Sequence, residues 1–462
     1  MKSVIMKFGG TSLGNGEKIK RVAEMLRDKR ARETVVVISA MSGLTDSLIT
    51  IGNKVVKGVS EDEIHTLVED IRNRHITTVK QAMSTEFQSF VITEIEKMCS
   101  ELEKVLIGVS YVGELTSRSL DYLMSFGEKL NAPIVSGALN SVGIKSMWYD
   151  GFNAGIITDS DFGNASPIWR DTKKKVMEVL KPILKNSVPV VTGFIAGDEK
   201  GRIATLGRGG SDYTAAILGS ALKVEEIWIW TDVNGILTTD PKLVKESKTI
   251  EILSFIEAME LAYFGAKVLH PKTIEPAMES GIPVRVRNTF NLNNKGTLIV
   301  KDQKKSTEVV KAISVMKHVA LLTISGLGMI GVPGVAARVF NALATEKINI
   351  LMISQGSSEV NISIIIEQKD LENAIKTIKM EFSGKQIVRD INYKKNVAII
   401  AVIGAGMQGA KGVAAKVFTA VAESDVNVLM ISQGSSEVNI SFVVFKKDAK
   451  KVAKALHDKF IS

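Results

Sequence analysis

The sequence predicts an α/β protein: a largely parallel central sheet, followed by two smaller βαββαβ units. Three observations carry this. Through the first 300 residues, short apolar runs alternate with segments of helical periodicity, the pattern of strands joined by crossover helices. A charged, polar stretch, "KDQKKSTE", then interrupts at 301–308. Beyond it, "LMISQGSSEVNIS" occurs at 351–363 and again, letter for letter, 78 positions later at 429–441.

The elements follow in order. "SVIMKFGG" is an apolar strand running into glycines. "GEKIKRVAEMLRDKR" carries Ile19, Val22, Met25 and Leu26 at helical spacing, and "TVVVISA" is a buried strand. Residues 60 to about 125 read as charged helices, a lid or an accessory subdomain. "VPVVTGFIAG", "EIWIWTDV" and "IPVRVRN" are further strands bounded by turn residues or helices. The duplication is wider than its identical centre, since 309–350 aligns without gaps to 387–428. The expected domains are therefore 1–300, a linker 301–308, and repeats at 309–386 and 387–462. The second repeat lacks a strand after its last helix, so the strand 309–315 is expected to complete it. The two repeats would then interlock.

The totals bound the function. A chain of 462 residues exceeds one hydrophobic core, which implies two or three domains. Hydrophobic residues at 45% and charged residues at 24% suit a globular protein. No apolar run is long enough to cross a bilayer, and "MKSVIMKFGG" lacks a signal-peptide pattern, so no membrane partner and a cytoplasmic location are expected. The single Cys99 excludes an internal disulfide, and the five histidines form no zinc-type pattern. The net charge of +9 comes from lysines spread over helices without interleaved aromatics. Nucleic acid is therefore the weakest of the possible partners, and solvated surface accounts for most of the excess.

Two stretches of the repeats, "GLGMIG" at 326–331 and "GAGMQG" at 404–409, fit GxGxxG between a strand and a helix. A dinucleotide site also needs a helix after the second strand. Here "INILMISQGSSEVNISIII" reads as strand, turn, strand, and Ser354 and Gln355 stand where an acidic residue is required. The glycines instead let the backbone turn closely around a small ligand or a neighbouring domain.

Four glycine-bearing loops follow strands in the first 300 residues: "KFGGTS", "SAMSG", "TLGRGGSD" and "WTDVNGI". Singly, each could be an ordinary turn. Placed at the carboxyl ends of parallel strands, with Lys7, Arg208 and Asp212 among them, they imply a phosphate-handling crevice. No GxxxxGK[ST] is present, so the chain is not a P-loop enzyme.

With these loops, "SFGEKLNA", "TLGRGGSDYTA", "WTDVNGILTTDP" and "FGAKVLHP" make an ordered set. It resembles the aspartate kinases of the amino-acid-kinase superfamily, and the repeats resemble tandem ACT domains, which sense small molecules. The resemblance implies an amino-acid-kinase-like sandwich followed by two ferredoxin-like ACT domains. It implies transfer of the γ-phosphoryl group of ATP, with Mg²⁺, to the β-carboxylate of L-aspartate. Lys7 and Asp212 would be catalytic. Ser39, Thr45, Glu128 and Arg208 would bind the substrate. Lys7, Gly9, Gly10, Ser12, Thr231, Asp232, Lys242 and Lys267 would serve the nucleotide. No metal-ligating protein cluster is expected, and His270 reads as structural. The aromatic residue that some relatives carry before "TTDP" is Leu237 here.

ACT domains pair edge to edge, which implies a homodimer or homotetramer and an amino-acid effector, lysine or threonine, at the seam. Gly331, Gly334, Asn349, Gln355, Asn427 and Gln433 would line it. The loops "GVPG" and "GAKG" differ at Pro333 and Lys411, so the first repeat is expected to hold the effector and the second to be mainly structural. Two rival readings are a catalytically silent amino-acid sensor and a kinase of another small acid such as glutamate.

Overall fold

The computed structural model describes residues 3–31, 33–265, 271–301, 308–356, 360–384 and 387–461. The chain forms two compact units. The first comprises Met1–Ile236, Glu251–Phe255 and Val268–Asp302, and the second Leu237–Ile250, Ile256–Lys267 and Gln303–Ser462.

The first unit begins with β1 (Ser3–Phe8), α1 (Gly16–Lys29), β2 (Glu33–Ile38), α2 (Leu44–Val56), α3 (Glu61–Ala82), α4 (Thr85–Val112) and α5 (Ser117–Ser141). It continues with β3 (Ser146–Tyr149), β4 (Ile157–Thr158), α6 (Trp169–Ile183), β5 (Val188–Thr192), β6 (Ile195–Asp198), β7 (Ile203–Thr205), α7 (Gly210–Leu222) and β8 (Glu226–Thr231). After β9 (Ile252–Ser254), the chain enters α8 (Phe255–Tyr263), then α9 (Pro271–Glu279), β10 (Val284–Asn288) and β11 (Thr297–Val300).

Eight strands form one sheet in the order β3-β5-β2-β1-β8-β10-β11-β9. Its pairs are parallel except β10 with β11. Central strands in such a sheet are covered on both faces, which is why β2 carries the apolar run VVVI and β1 is apolar from Val4 to Phe8 except at Lys7. Some helices start at side-chain caps: Asn15 accepts from the Lys18 N–H and Ser60 from the Glu63 N–H. The helical stretch from 60 to 125 is not a separate subdomain. Ile64, Val68, Ile95, Leu102 and Leu106 share one core with Phe8, Ile19, Leu26 and Val36.

One of the four expected loops departs from the parallel-sheet rule. "TLGRGGSD" follows β7, which belongs to a separate three-stranded sheet, β4-β6-β7, and pairs antiparallel with β6. The loop reaches the crevice from this small sheet, not from a carboxyl end of the main one.

The second unit contains β12 (Ala312–Ser325), α10 (Val335–Thr345), β13 (Ile350–Gln355), β14 (Asn361–Glu367) and α11 (Leu371–Glu381). It is completed by β15 (Asp390–Ile403), α12 (Val413–Glu423), β16 (Met430–Gln433), β17 (Asn439–Phe445) and α13 (Ala449–Phe460). Six antiparallel strands run in the order β13-β14-β12-β15-β17-β16. The hairpin of β13 and β14 is incompatible with the crossover that a dinucleotide fold needs.

β12 and β15 are each shared by two lobes. Ala312–Met316 pair with Ile399–Ile403, alongside β17, over a core of Ile313, Ile400, Val417, Phe442 and Leu456. Leu321–Ser325 pair with Asp390–Lys394 and with β14, over a core of Leu322, Ile324, Val339, Ile364 and Ile378. The register shifts between these halves, and His318 there takes the left-handed conformation with φ of 62°.

The compact units do not follow the contiguous boundary at residue 300. Leu243 and Val244 are buried in the core of the second lobe, and Glu257 on α8 forms a buried ion pair with Lys311 at 3.1 Å. Among the described residues, no helix is long and apolar enough to cross a membrane.

Candidate active site

A crevice of about 700 Å³ in the first unit gathers residues distant in sequence. Lys7 and Gly10 come from the end of β1 and the turn after it, and Ser39 and Thr45 from the turn after β2 and the start of α2. Glu128 comes from α5, and Arg208 and Asp212 from the loop after β7 and the start of α7. Each turn has a local cause. A Cβ on Gly10 would lie 2.9 Å from the Ala40 carbonyl oxygen, so only glycine lets the first two loops approach this closely. Gly209 caps α7 in the left-handed conformation with φ of 73°.

Asp212 is therefore not the N-cap of its helix. It stands in the first turn, with its N–H donated to the Gly209 carbonyl. Its carboxylate meets Lys7 Nζ at 2.6 Å, and these side chains are 11% and 14% exposed, lysine first. This ion pair sits on the crevice wall, sheltered but within reach of a ligand.

Glu128 is buried, not a solvated helix glutamate. Its Oε1 accepts from the Ala40 N–H at 3.1 Å, while Oε2 has no hydrogen-bond partner. Burial pushes its carboxyl up to about 8, against the pull of the Ala40 N–H and the Lys7 charge. An unmet acceptor in a cavity wall suits a cationic ligand group. Ser39 and Thr45 are half-buried and Arg208 is exposed, its guanidinium open to a ligand.

The nucleotide candidates are less closely gathered. Gly9 donates its N–H to the Trp230 carbonyl at 3.3 Å. Ser12 is fully buried, with its hydroxyl 2.7 Å from Thr289 Oγ1 and its N–H given to Gly9, so its polar groups are committed within the fold. Thr231 ends β8 and bonds to Asp232 at 3.1 Å, leaving Asp232 exposed. Lys242 belongs to the second unit, where its N–H donates to Asp240. Lys267 and His270 lie outside the described residues.

Among the described residues, no group of three or more His, Cys, Asp or Glu side chains could hold a metal. Asp46, Glu128 and Asp212 are the carboxylates lining the crevice, and they form no protein-built metal group, so a cation there would be held mostly through ligand oxygens and water.

Two polar residues that hold this crevice, Asp121 and Asn131, are absent from the sequence-derived set. Asn131 donates to the Ser39 carbonyl at 2.8 Å, and Asp121 binds Gly163 and Thr205. Their signal is spacing: 121, 124, 128 and 131 fall on one face of α5, and all four are buried.

In the second unit, Gly331, Gly334 and Gln355 line a cavity of about 320 Å³ in the first lobe. Asn349, just before β13, is exposed. In the second lobe, Asn427 and Gln433 are exposed, and the Gly409 N–H donates to Glu437 at 2.6 Å. Glu359, the counterpart of Glu437, is outside the described residues.

Comparison with known proteins identifies the family. Residues 2–288 match the amino acid kinase family, and 322–382 and 400–460 each match an ACT domain. The chain is 37% identical over 470 residues to the chloroplastic aspartokinase 1 of Arabidopsis thaliana, covering 99% of this chain and 80% of that protein. It is similar to the crystal structure of E. coli aspartokinase III in complex with aspartate and ADP, with a TM-score of 0.84, 30% identity and full coverage of both chains. Against the same enzyme in complex with lysine and aspartate, the TM-score is 0.81 at 30% identity, covering 99% of each chain. The chain belongs to the aspartokinases, with an amino acid kinase domain and tandem ACT domains.

Proposed function

We propose that the chain transfers the γ-phosphoryl group of ATP to the β-carboxylate of L-aspartate, forming 4-phospho-L-aspartate. The observation that carries this is one crevice holding the Lys7–Asp212 pair, the unmet Glu128 oxygen and the exposed Arg208 together. The crystal structure of the E. coli enzyme with aspartate and ADP supports the substrate assignment.

The chemistry needs positioning and charge cancellation more than a base. A carboxylate with an ordinary pKa near ~4 is already ionised at neutral pH. Its oxygen attacks the γ-phosphorus while the bridging oxygen leaves with ADP, and no proton moves in that exchange. Lys7 neutralises charge on the transferring group, and Asp212 holds Lys7 in line. Arg208 grips a substrate carboxylate with its fork, and Glu128, ionising as the cation comes in, pairs with the ammonium. Ser39 and Thr45 add hydroxyls. Gly9 and Gly10 let the turn after β1 run close to the phosphates, Thr231 and Asp232 serve the nucleoside, and Lys242 and Lys267 complete the set. Mg²⁺, held mainly through the nucleotide with Asp212 as a nearby carboxylate, would offset phosphate charge.

The domain reading belongs to the same proposal: a catalytic 1–300, a linker 301–308, and ACT repeats at 309–386 and 387–462 that exchange a strand. A lysine or threonine effector binds the first lobe at Gly331, Gly334, Asn349 and Gln355, while Asn427 and Gln433 mark the second, mainly structural seam. Copies pair through these lobes into a homodimer or homotetramer in the cytoplasm.

The test is ATP-dependent acyl phosphate formation, trapped as hydroxamate, with L-aspartate or L-glutamate and with lysine or threonine added in parallel. Aspartate-dependent product lowered by one effector is expected. Product with glutamate alone, or with neither acid, overturns the assignment. Product insensitive to both effectors overturns only the regulatory part.

A further inference from the structure

We infer that Asp121 is a positioning residue for the reaction: its buried carboxylate clamps two crevice loops and thereby sets the placement of Arg208 and Asp212. The inference rests on the reading of the crevice as the aspartate and phosphoryl-transfer site.

Asp121 lies in the second turn of α5 and is 0% exposed. Its Oδ2 accepts from the Gly163 N–H at 2.8 Å and from the Thr205 N–H at 2.8 Å. Its Oδ1 accepts from the Thr205 hydroxyl at 2.7 Å. Gly163 and Thr205 both line the crevice. Thr205 ends β7 and directly precedes the loop that carries Arg208 and Asp212. The carboxylate thus holds the last residue of β7, two residues before Gly207.

The two loops also brace each other. The Ala165 N–H donates to the Thr205 carbonyl at 2.9 Å. A Cβ at Gly207, whose φ is +74°, would lie 3.0 Å from Asn164 Oδ1 and 3.1 Å from the Gly163 carbonyl oxygen. Removing the clamp therefore frees a packed pair of loops, not one strand end.

Stability alone is a poor reason for a carboxylate here. Leu123, Phe126 and Leu130 already anchor α5 in the main core. Burying a charge is costly unless it is hydrogen-bonded, and a smaller neutral acceptor would serve one strand end. Three donors from two separated segments converge on Asp121, and two are backbone N–H groups, which every residue except proline supplies. A carboxylate, as an acceptor at both oxygens, can meet all three. The same face of α5 carries Glu128, which holds the Ala40 N–H, and Asn131, which holds the Ser39 carbonyl. One helix face thus fixes the loops that present Ser39, Arg208 and Asp212. Asp121 does so without lining the crevice itself.

The experiment compares full-length wild type with Asp121→Asn and Thr205→Val, measuring kcat and both KM values by hydroxamate trapping, with thermal melting alongside. Asn keeps the size but turns an NH₂ toward donors. Val keeps the Thr205 N–H bond and removes only the hydroxyl. Expected for Asp121→Asn is an aspartate KM raised, and a kcat lowered, by roughly tenfold to a hundredfold, with the ATP KM within about twofold of wild type. Thr205→Val should move the same two constants in the same direction by a smaller factor. A purely structural role would lower the melting temperature and the active fraction while leaving both KM values unchanged, and that overturns the inference. If Asp121→Asn does not fold, Thr205→Val decides alone by the same criterion. Wild type without aspartate-dependent product would instead defeat the reading of the site.

Discussion

Two lysine–carboxylate pairs, one in each unit, show how the same two side-chain types serve different ends. Lys7 and Asp212 stand on glycine-bearing turns at a crevice, 2.6 Å apart and partly exposed. Lys311 and Glu257 are 3.1 Å apart and 2% and 0% exposed. In the second unit the Glu257 carboxylate is met from both sides, with Lys311 on Oε2 and the Ala405 N–H on Oε1 at 2.7 Å. A sealed pair of this kind holds elements together, because breaking it leaves a charge in a low dielectric. The crevice pair can exchange its partner for a phosphoryl oxygen and a substrate. Exposure and the flanking glycines separate the two roles, and residue type does not.

The comparison breaks most readily at Lys7. Lys7→Met should lower kcat by about a thousandfold or more, as loss of a preorganised electrostatic contact does, with little change in melting temperature. Equal damage to stability and rate would mean that the crevice pair is structural after all. At the sealed pair the pattern inverts. Lys311→Met should destabilise the second unit by about 3–5 kcal/mol in denaturant titration, and Lys311→Met with Glu257→Leu should recover part of it.

Arg208→Lys comes next. It keeps the charge and loses the planar fork, so the aspartate KM should rise on the order of tenfold with the fold intact. An unchanged KM would remove Arg208 from carboxylate recognition.

Glu128 sharpens the contrast through pH. Its carboxyl is pushed up to about 8 in the folded chain, so the folded state holds this proton more tightly than the unfolded state does. Stability should therefore fall as pH rises from about 5 through about 8, and Glu128→Gln should flatten that slope. An unaltered slope in the variant would show that the buried acceptor does not titrate there. The smallest effect belongs to a pair with no special environment. Lys181 and Glu33 meet at 3.0 Å with side chains 44% and 26% exposed, and Lys181→Ala should cost about 0.2–1 kcal/mol.

Much of the fold was legible because its signals are local. The apolar runs of β1 and β2, the helical spacing of Ile19, Val22, Met25 and Leu26, and the hairpin inside the repeat each follow from short-range pattern. Lys7, Gly10, Arg208 and Asp212 were visible as well, since glycine-bearing turns after strands are a sequence feature. Glu128 was visible as a candidate, but its burial was not. A glutamate in a charged segment reads as solvated until the loop bearing Ala40 closes over it. Asp121 and Asn131 were not singled out, because buried polar residues on one helix face look like any helical polar residues without their partners. The small sheet bearing β7 escaped because a three-residue strand carries too little periodicity to show its direction.

The sequence by itself determined the order of elements, the doubling of the second unit, the positions of the glycine turns and the chemical types at the crevice. These depend on periodicity, backbone freedom and composition, which neighbouring residues carry. Tertiary structure alone decided which acids are buried, which lysine pairs with which carboxylate, and how Leu237–Ile250 and α8 group with the second unit. It also decided that a single helix face, Asp121 to Asn131, holds the crevice loops in place. Those facts arise from contacts between residues far apart in the chain, where desolvation and hydrogen-bond satisfaction, not local propensity, choose the partners.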